Sequence, residues 1–256
     1  MKTRSFFLVL VGIFVAESVL ADISSSIAKV KPSVVIVGTY KSTNSPRFGL
    51  RGTGFVVGNG NLVITNAHVL QQPAEQDIEA NLVVQIRGAQ NELQMRAATV
   101  LEVDKVHDLA LLRFEGPAAA ALSVRESDSV KEGQSIAFTG FPIGGALGFS
   151  PVTHRGMISS IAAAALPTAS AQQLNERAIR SLRGGGSFDV FQLDATAYPG
   201  NSGGPVFDPD TGEVLGVINM VLIKGTRESA LTHPSGISYA IPSRFVLQLL
   251  QRSKSN

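Results

Sequence analysis

The chain contains no cysteine among its 256 residues. Disulfide bonds, thiolate-ligated zinc or iron–sulfur sites and a thiol nucleophile are therefore excluded, and covalent chemistry has to use serine, threonine, lysine or a carboxylate. The formal net charge is only +2 and no block of basic residues is present, so the sequence does not favour a nucleic acid as partner. We expect neither a metal nor another cofactor.

Long hydrophobic runs are also lacking. Residues 1–21 have the pattern of a secretory signal peptide, in which Lys2 and Arg4 precede an apolar run over residues 6–16 and small residues precede a cleavage point before Asp22. This run is shorter than the roughly 20 residues that a membrane-spanning helix needs, and no later stretch is long enough. The sequence therefore predicts an exported mature protein, periplasmic or secreted, with no membrane span.

Short apolar runs rich in Val, Ile and Phe recur along the chain, with Gly, Asn, Asp or Pro between them. This pattern is typical of an all-β protein with many short strands. The first set of predicted strands comprises residues 34–39, 54–57, 62–65, 82–86, 93–103 and 109–114. The second set comprises residues 135–139, 151–161, 188–193, 204–207, 214–222 and 237–240. Two sets of six strands predict two small β-barrels in tandem.

A connector of alanine and polar residues separates the two sets, so we assign residues 22–125 to the first barrel and residues 126–256 to the second. Apolar residues at helical spacing after Pro242 predict a short C-terminal helix. Residues 162–187 do not follow the β pattern, since they are alanine-rich, then polar, with three consecutive glycines near the end. We interpret them as an inserted loop carrying a helix, which is either a lid or docking element or a solvated insertion without a function.

Residues 200–205, with the sequence GNSGGP, form the most informative segment. A serine hydroxyl is a weak nucleophile unless a base takes its proton and N–H groups stabilise the oxyanion, and a glycine-rich turn allows such N–H groups to converge. The pattern also fits the nucleophile elbow of α/β-hydrolases, which leads into a helix and precedes the acid and the histidine. Here a β-type segment and a proline-containing turn follow Gly204, so the elbow is disfavoured.

A histidine and an aspartate precede this serine in the order His, Asp, Ser, which is that of chymotrypsin-type proteases. His68 follows a predicted strand as a loop residue and Asp108 precedes one, so both side chains are expected at the edge of the first barrel. Asp104 and His107 are the nearby competitors. In an extended chain His107 points away from its neighbour Asp108, and we interpret it as a bystander.

Four segments together resemble the HtrA/Deg serine proteases. They are residues 65–69 (TNAHV), 108–112 (DLALL), 200–205 (GNSGGP) and 236–243 (GISYAIPS). Weaker similarities are residues 31–35 (KPSVV), 52–55 (GTGF), 140–144 (GFPIG) and 192–195 (QLDA). The resemblance covers about residues 25–252 and implies a chymotrypsin-like double β-barrel with its site in the cleft between the barrels. Relatives commonly carry PDZ domains after the protease domain, whereas here we expect the protease domain only.

The resemblance implies a serine endopeptidase that acts on unfolded or extended polypeptides. The expected site residues are, for catalysis, His68, Asp108 and Ser202; for the oxyanion hole, Gly200, Asn201 and Ser202; and for the substrate pocket and edge, Thr196, Ala197, Val217, Ile218 and Asn219. Because Thr196 and Ala197 carry no charge, we expect cleavage after small aliphatic residues rather than after Lys or Arg. The resemblance also implies a homotrimer, since relatives commonly assemble through their N-terminal segment.

Three other functions stay open at this point: a catalytically silent, protease-like binding module, a chaperone that holds unfolded chains, and an esterase. A binding module has no need for His68 and Asp108 beside Ser202, so an intact triad argues against it. Nothing in the sequence excludes the chaperone.

Overall fold

Residues 23–70, 80–88, 92–142, 149–164, 188–219 and 236–255 are described by a computed structural model of the chain. The predicted signal peptide lies outside these ranges, and so does the predicted insertion, apart from residues 162–164, which end a strand. None of the helices in the described ranges is long and apolar enough to cross a membrane.

The first barrel is a closed antiparallel sheet with the strand order β1-β2-β3-β6-β5-β4. Its elements, in chain order, are helix α1 (Ile23–Val30), a 3₁₀ turn (Lys31–Ser33), β1 (Val34–Tyr40), β2 (Phe48–Val57), β3 (Leu62–Asn66), helix α2 (Ala67–Leu70), β4 (Asn81–Arg87), β5 (Leu93–Asp104) and β6 (Leu109–Phe114). All six predicted strands are present, and β2 begins six residues earlier than the sequence predicted.

The second barrel is also closed and antiparallel, with the order β10-β11-β12-β9-β8-β7. Its elements are β7 (Ser135–Gly140), β8 (Val152–Ala164), β9 (Phe188–Asp194), β10 (Pro205–Phe207), β11 (Val214–Asn219), β12 (Ile237–Pro242) and helix α3 (Ser243–Ser255). The prediction of a double β-barrel with a short C-terminal helix is therefore confirmed.

β1 shows why these strands appear in the sequence as continuous apolar runs rather than as alternating ones. Successive side chains on a strand point to opposite faces. Val35 and Val37 belong to the core inside the first barrel, whereas Val34 and Ile36 belong to a second core that also includes residues of the other barrel and of α3. A strand that is covered on both faces needs an apolar residue at every position.

The core shared by the two barrels determines where the site lies. It contains Leu111 of β6, Val217 of β11, and Phe245, Val246 and Leu249 of α3, all of them buried. Burial of large apolar side chains is the main favourable term in folding, so this core holds the barrels together. The ends of β3 and β11 and the start of β6 meet at this junction.

Helix α1 was not predicted. Ile23, Ile27 and Val30 fall at i, i+4 and i+7, the spacing of one helical face, but eight residues are too short a segment for this pattern to stand out. The helix instead packs against the second barrel, where Val30 is buried in the shared core and the Lys29 Nζ group donates to the carbonyl of Thr211 at 2.9 Å. These tertiary contacts support the short helix.

Candidate active site

His68 lies directly after β3, at the junction of the two barrels. α2 (Ala67–Leu70) holds it in a helical turn, where the sequence predicted a loop. Asn66 Nδ2 and the Ala67 N–H both donate to the carbonyl oxygen of Asp108, at 3.0 and 3.1 Å. These two hydrogen bonds tie the start of α2 to the residue that precedes β6.

Asp108 has a φ of 53°, in the left-handed region. Aspartate visits this region more readily than most residues, but the conformation still costs about 1–3 kcal/mol, so surrounding contacts have to hold it. Its Oδ1 atom accepts the backbone N–H of His68 at 2.8 Å, and its Oδ2 atom lies 2.5 Å from His68 Nδ1. The carboxylate is thus held against both the backbone and the ring of the histidine.

This pairing determines which nitrogen of His68 is the base. A carboxylate in its charged form only accepts hydrogen bonds, so Nδ1 donates, and in the neutral ring Nε2 is then the acceptor. The His68 side chain keeps 23% of its surface exposed, so the ring is accessible to a ligand. The arrangement can therefore take up a proton from a group in the cleft.

Asn219, at the end of β11, joins the second barrel to this pair. Its Nδ2 group donates to Asp108 Oδ2 at 2.7 Å, and the residue is fully buried. The assignment of Asn219 to the substrate edge concerns its backbone and stays a prediction, whereas its side chain holds the aspartate. A hydrogen bond across 111 residues of sequence leaves no local signal that could have revealed this role.

The side chains of Val217 and Ile218 do not face a cleft either. Both are fully buried, in the shared core and in the core of the second barrel, respectively. The Ile218 carbonyl accepts the Gly203 N–H at 3.0 Å, and the Ile218 N–H donates to the Gly204 carbonyl at 2.9 Å. Their side chains and the backbone of Ile218 are therefore engaged within the protein. The wall and edge for substrate stay a prediction for this segment.

Of the two residues expected at the pocket floor, Ala197 is buried and Thr196 is partly buried. The Ala197 N–H donates to Ser238 Oγ at 2.9 Å, and Ser238 Oγ in turn donates to the Ala195 carbonyl at 2.8 Å. Ser238 therefore fixes the segment that leads to Ser202. Ser238 lies within the motif of residues 236–243, so the sequence pointed to this segment. It did not predict the hydrogen bonds of the Ser238 hydroxyl.

The loop that carries Ser202 is built from glycines with positive φ. Gly200 has a φ of 102° and Gly203 one of 87°, which side chains rarely allow. The Asn201 N–H donates to the Tyr198 carbonyl and the Gly204 N–H to the Asn201 carbonyl, each at 2.9 Å. Across the described ranges, no hydrogen bond is made by the N–H groups of Gly200 and Ser202. Both donors are therefore available to an anionic oxygen.

Asn201 is fully buried, and neither atom of its amide finds a hydrogen-bond partner within the described part of the chain. A Cβ atom at Gly140 would lie 2.6 Å from Asn201 Oδ1, so glycine at position 140 makes room for this side chain. The Asn201 N–H donates to Tyr198, so within the described ranges the N–H groups of the predicted oxyanion hole that lack a partner are those of Gly200 and Ser202.

Thr53 of β2 connects the serine loop to the first barrel. Its N–H donates to the Ser202 carbonyl at 2.8 Å, and its Oγ1 donates to the Gly200 carbonyl at 2.6 Å. Thr65 Oγ1 donates to the Thr53 carbonyl at 2.7 Å, which extends the link to β3 one residue before Asn66. Thr53 and Thr65 both lie within the segments that carry the resemblance, although the sequence did not single them out.

The three predicted catalytic residues therefore lie on connected elements. His68 and Asp108 are in direct contact, and the Ser202 carbonyl is tied to β2. A Cβ at Gly52 would lie 3.0 Å from the Ser202 carbonyl and 2.8 Å from Val69, the residue after His68. In the described segments no hydrogen bond joins the Ser202 hydroxyl to His68.

His154 of β8 lies near the serine loop. Its ring stacks on Phe138 with centroids 4.8 Å apart and lies 6.1 Å from the ring of Tyr198. Burial lowers the pKa of His154, so the ring is neutral at physiological pH and adds no charge beside the loop. Among the described residues, no group of His, Asp and Glu could hold a metal ion.

Comparison with known proteins links this geometry to a family. The sequence profile described as "Trypsin-like peptidase domain" matches residues 52–217, a range that includes His68, Asp108 and Ser202. A "Probable periplasmic serine endoprotease DegP-like" from Marinomonas sp. is 29% identical over 205 residues, which are 80% of this chain and 36% of the relative. A "Serine protease HTRA2, mitochondrial" from Drosophila grimshawi is 29% identical over 211 residues, 82% of this chain and 41% of the relative.

The chain thus spans about two fifths of the length of these relatives. Among solved structures, "HtrA-type protease AlgW with tripeptide" matches with a TM-score of 0.62 and 22% sequence identity, covering 90% of this chain and 62% of that one. At this level of identity the match shows the same fold.

Proposed function

Because this chain belongs to the trypsin-like peptidase family, we propose that it is a serine endopeptidase that hydrolyses peptide bonds of unfolded or extended polypeptides. The observation that carries this function is the contact of His68 Nδ1 with Asp108, beside the loop that presents Ser202. A histidine held by a carboxylate, next to a serine on a glycine turn, is the arrangement that acyl transfer needs.

In the proposed reaction, Ser202 Oγ attacks the peptide carbonyl while His68 Nε2 takes the hydroxyl proton. The protonated ring then gives this proton to the leaving amine, and water releases the acyl group by the same steps in reverse. Asp108 holds the ring in the required tautomer and stabilises its charged form. The hydrogen bond between the serine and the histidine is often long in a free enzyme and shortens when substrate binds.

The developing oxyanion would be bound by the N–H groups of Gly200 and Ser202. Their lack of partners in the described ranges supports this role, and the positive φ of Gly200 shapes the turn between them. Loss of one such donor typically reduces transition-state stabilisation by about 2.7–4 kcal/mol. Asn201 contributes the backbone between the two donors, while its side chain stays buried.

We propose that the residue before the cleaved bond is small and aliphatic, since Thr196 and Ala197 bring no charge to the pocket floor. Lysine and arginine would then be buried without a partner, which is unfavourable. In a peptide library, cleavage after Val or Ala is expected to exceed cleavage after Arg by at least about tenfold. A preference for Arg would show that this pocket assignment is wrong.

Labelling of the full chain with a fluorophosphonate, followed by incubation with unfolded casein, tests the proposed function. The protein is expected to take up the label at Ser202 and to cleave casein, and a Ser202→Ala variant is expected to do neither. Labelling without casein cleavage would indicate an esterase. A protein that does not take up the label would instead be a binding module or a chaperone.

We further propose export through residues 1–21 and assembly as a homotrimer. The signal-like pattern supports export, and the name of the Marinomonas relative refers to the periplasm, whereas that of the Drosophila relative refers to mitochondria. N-terminal sequencing of the secreted or periplasmic protein should begin at Asp22. Light scattering that gives a monomer would exclude the trimer.

A further inference from the structure

A second aspartate–histidine pair lies in the turn between β5 and β6, directly before Asp108. Asp104 Oδ1 accepts the N–H groups of Val106 and His107, both at 3.1 Å, and Oδ2 lies 2.9 Å from His107 Nδ1. Arg252 Nη2 of α3 donates to the same Oδ2 atom at 2.7 Å. One carboxylate therefore fixes the whole turn that leads to Asp108.

The electrostatics of this carboxylate agree with the geometry. Burial raises the pKa of Asp104, but the hydrogen bonds from His107 and Arg252 outweigh burial, and the pKa lies below its ordinary value. The charged form of Asp104 is therefore favoured in the folded protein. The other charged side chain of the turn, Lys105, is exposed.

The His107 ring is also held from the side of the second barrel. It stacks on Phe245 of α3, with ring centroids 3.8 Å apart and an interplanar angle of 18°. Phe188, the first residue of β9, meets the same ring edge-on at 4.7 Å. The sequence interpretation of His107 as a bystander therefore overlooks a packed position between the two barrels.

The turn matters because of the residue at its end. Asp108 has a φ of 53°, a conformation that has to be maintained by its surroundings. Asp108 itself accepts hydrogen bonds from Asn66, Ala67 and Asn219. The residue before it, His107, donates its N–H to Asp104, and Asp104 in turn accepts a hydrogen bond from Arg252 of α3.

We propose that Arg252, Asp104 and His107 are positioning residues for Asp108, so that the C-terminal helix of the second barrel sets the orientation of the aspartate in the first. The effect of these residues on turnover rests on the proposed function. The effect of Arg252 on the geometry of the His68–Asp108 contact does not rest on it. Within the described part of the chain, the second barrel thus reaches this region through Asn219, which donates to Asp108 itself, and through Arg252, which donates to Asp104 four residues before it.

Arg252 is the residue to change, because it acts at a distance and is exposed. Its side chain keeps 45% of its surface accessible, and the buried Asp104 carboxylate keeps its hydrogen bonds to Val106 and His107 when Arg252 is replaced, so the variant is expected to fold. Lys254 provides a matched control, since it lies in the same last turn of α3, is exposed and carries the same charge.

In Arg252→Gln the value of kcat is expected to fall about tenfold with KM unchanged, because a small displacement of a catalytic group lowers the rate without changing substrate binding. Arg252→Lys should recover most of the loss, as it restores a charged donor. Lys254→Gln should match the unmodified protein in both constants. Urea unfolding of all three variants provides the stability comparison.

Proton NMR of the full chain distinguishes a positioning role of Arg252 from a role in stability alone, because a loss of stability alone would leave the signal of the His68–Asp108 proton unchanged. The downfield resonance of the proton between His68 Nδ1 and Asp108 should shift or broaden in Arg252→Gln and not in Lys254→Gln. If the unmodified protein fails to turn over substrate but this resonance responds, the proposed function is wrong and the coupling holds. If the resonance is unchanged, or if kcat of an active protein is unchanged, the positioning role is overturned.

Discussion

Replacement of Asp108 by asparagine is expected to lower kcat by about 10⁴-fold while the protein remains folded. The carboxylate accepts three hydrogen bonds, from the His68 N–H, from His68 Nδ1 and from Asn219 Nδ2. An amide of the same shape has only one oxygen, so it cannot accept at both positions. If its NH₂ group faces the ring, Nδ1 becomes the acceptor and Nε2 carries the proton, which leaves no base for Ser202.

Steady-state cleavage of casein and of a chromogenic ester measures this effect, with thermal unfolding as the check on folding. Asp128→Asn is the matched control, because the Asp128 side chain is 71% exposed and its only role in the described structure is a surface ion pair with Arg244. The control should keep full activity. An Asp108→Asn variant that retained more than about a tenth of kcat would contradict the assignment of Asp108.

The strands could be predicted because their runs of apolar residues match the burial that the folded protein gives them. Val34–Tyr40 and Leu109–Phe114 are apolar at almost every position, and the structure covers both of their faces. The start of β2 could not be predicted, because glycines at 49 and 52 interrupt the pattern. Glycine is required at position 52 by a contact between distant parts of the chain, because a Cβ atom there would lie 2.8 Å from the Val69 side chain.

The candidate site divides in the same way. The order and the flanking motifs of His68, Asp108 and Ser202 were visible in the sequence, since each sits in a short string with its own chemistry. The roles of Asn219 and His107 were not, because they depend on which side chain meets which across the junction of the barrels. The interpretation of His107 assumed an extended chain, whereas Asp108 adopts a left-handed φ.

Replacement of Gly203 by alanine is expected to reduce the free energy of unfolding by more than about 3 kcal/mol, which is a large effect for one methyl group. The new Cβ would lie 2.1 Å from the Thr53 carbonyl oxygen and 2.4 Å from Thr65 Oγ1, and these two atoms are hydrogen-bonded to each other. Neither β2 nor β3 can move away without breaking the first barrel. The serine loop therefore has to leave its place beside them.

Gly133→Ala separates this clash from the strain of the backbone angle. Gly133 has a φ of 83°, close to the 87° of Gly203, but a Cβ there would meet nothing within 4 Å. Its substitution should therefore cost only about 1–2 kcal/mol, from the left-handed conformation alone. Urea denaturation of both variants measures the difference. Equal losses would mean that the serine loop is free to move away from β2 and β3, and the close seating of Ser202 against the first barrel would then be wrong.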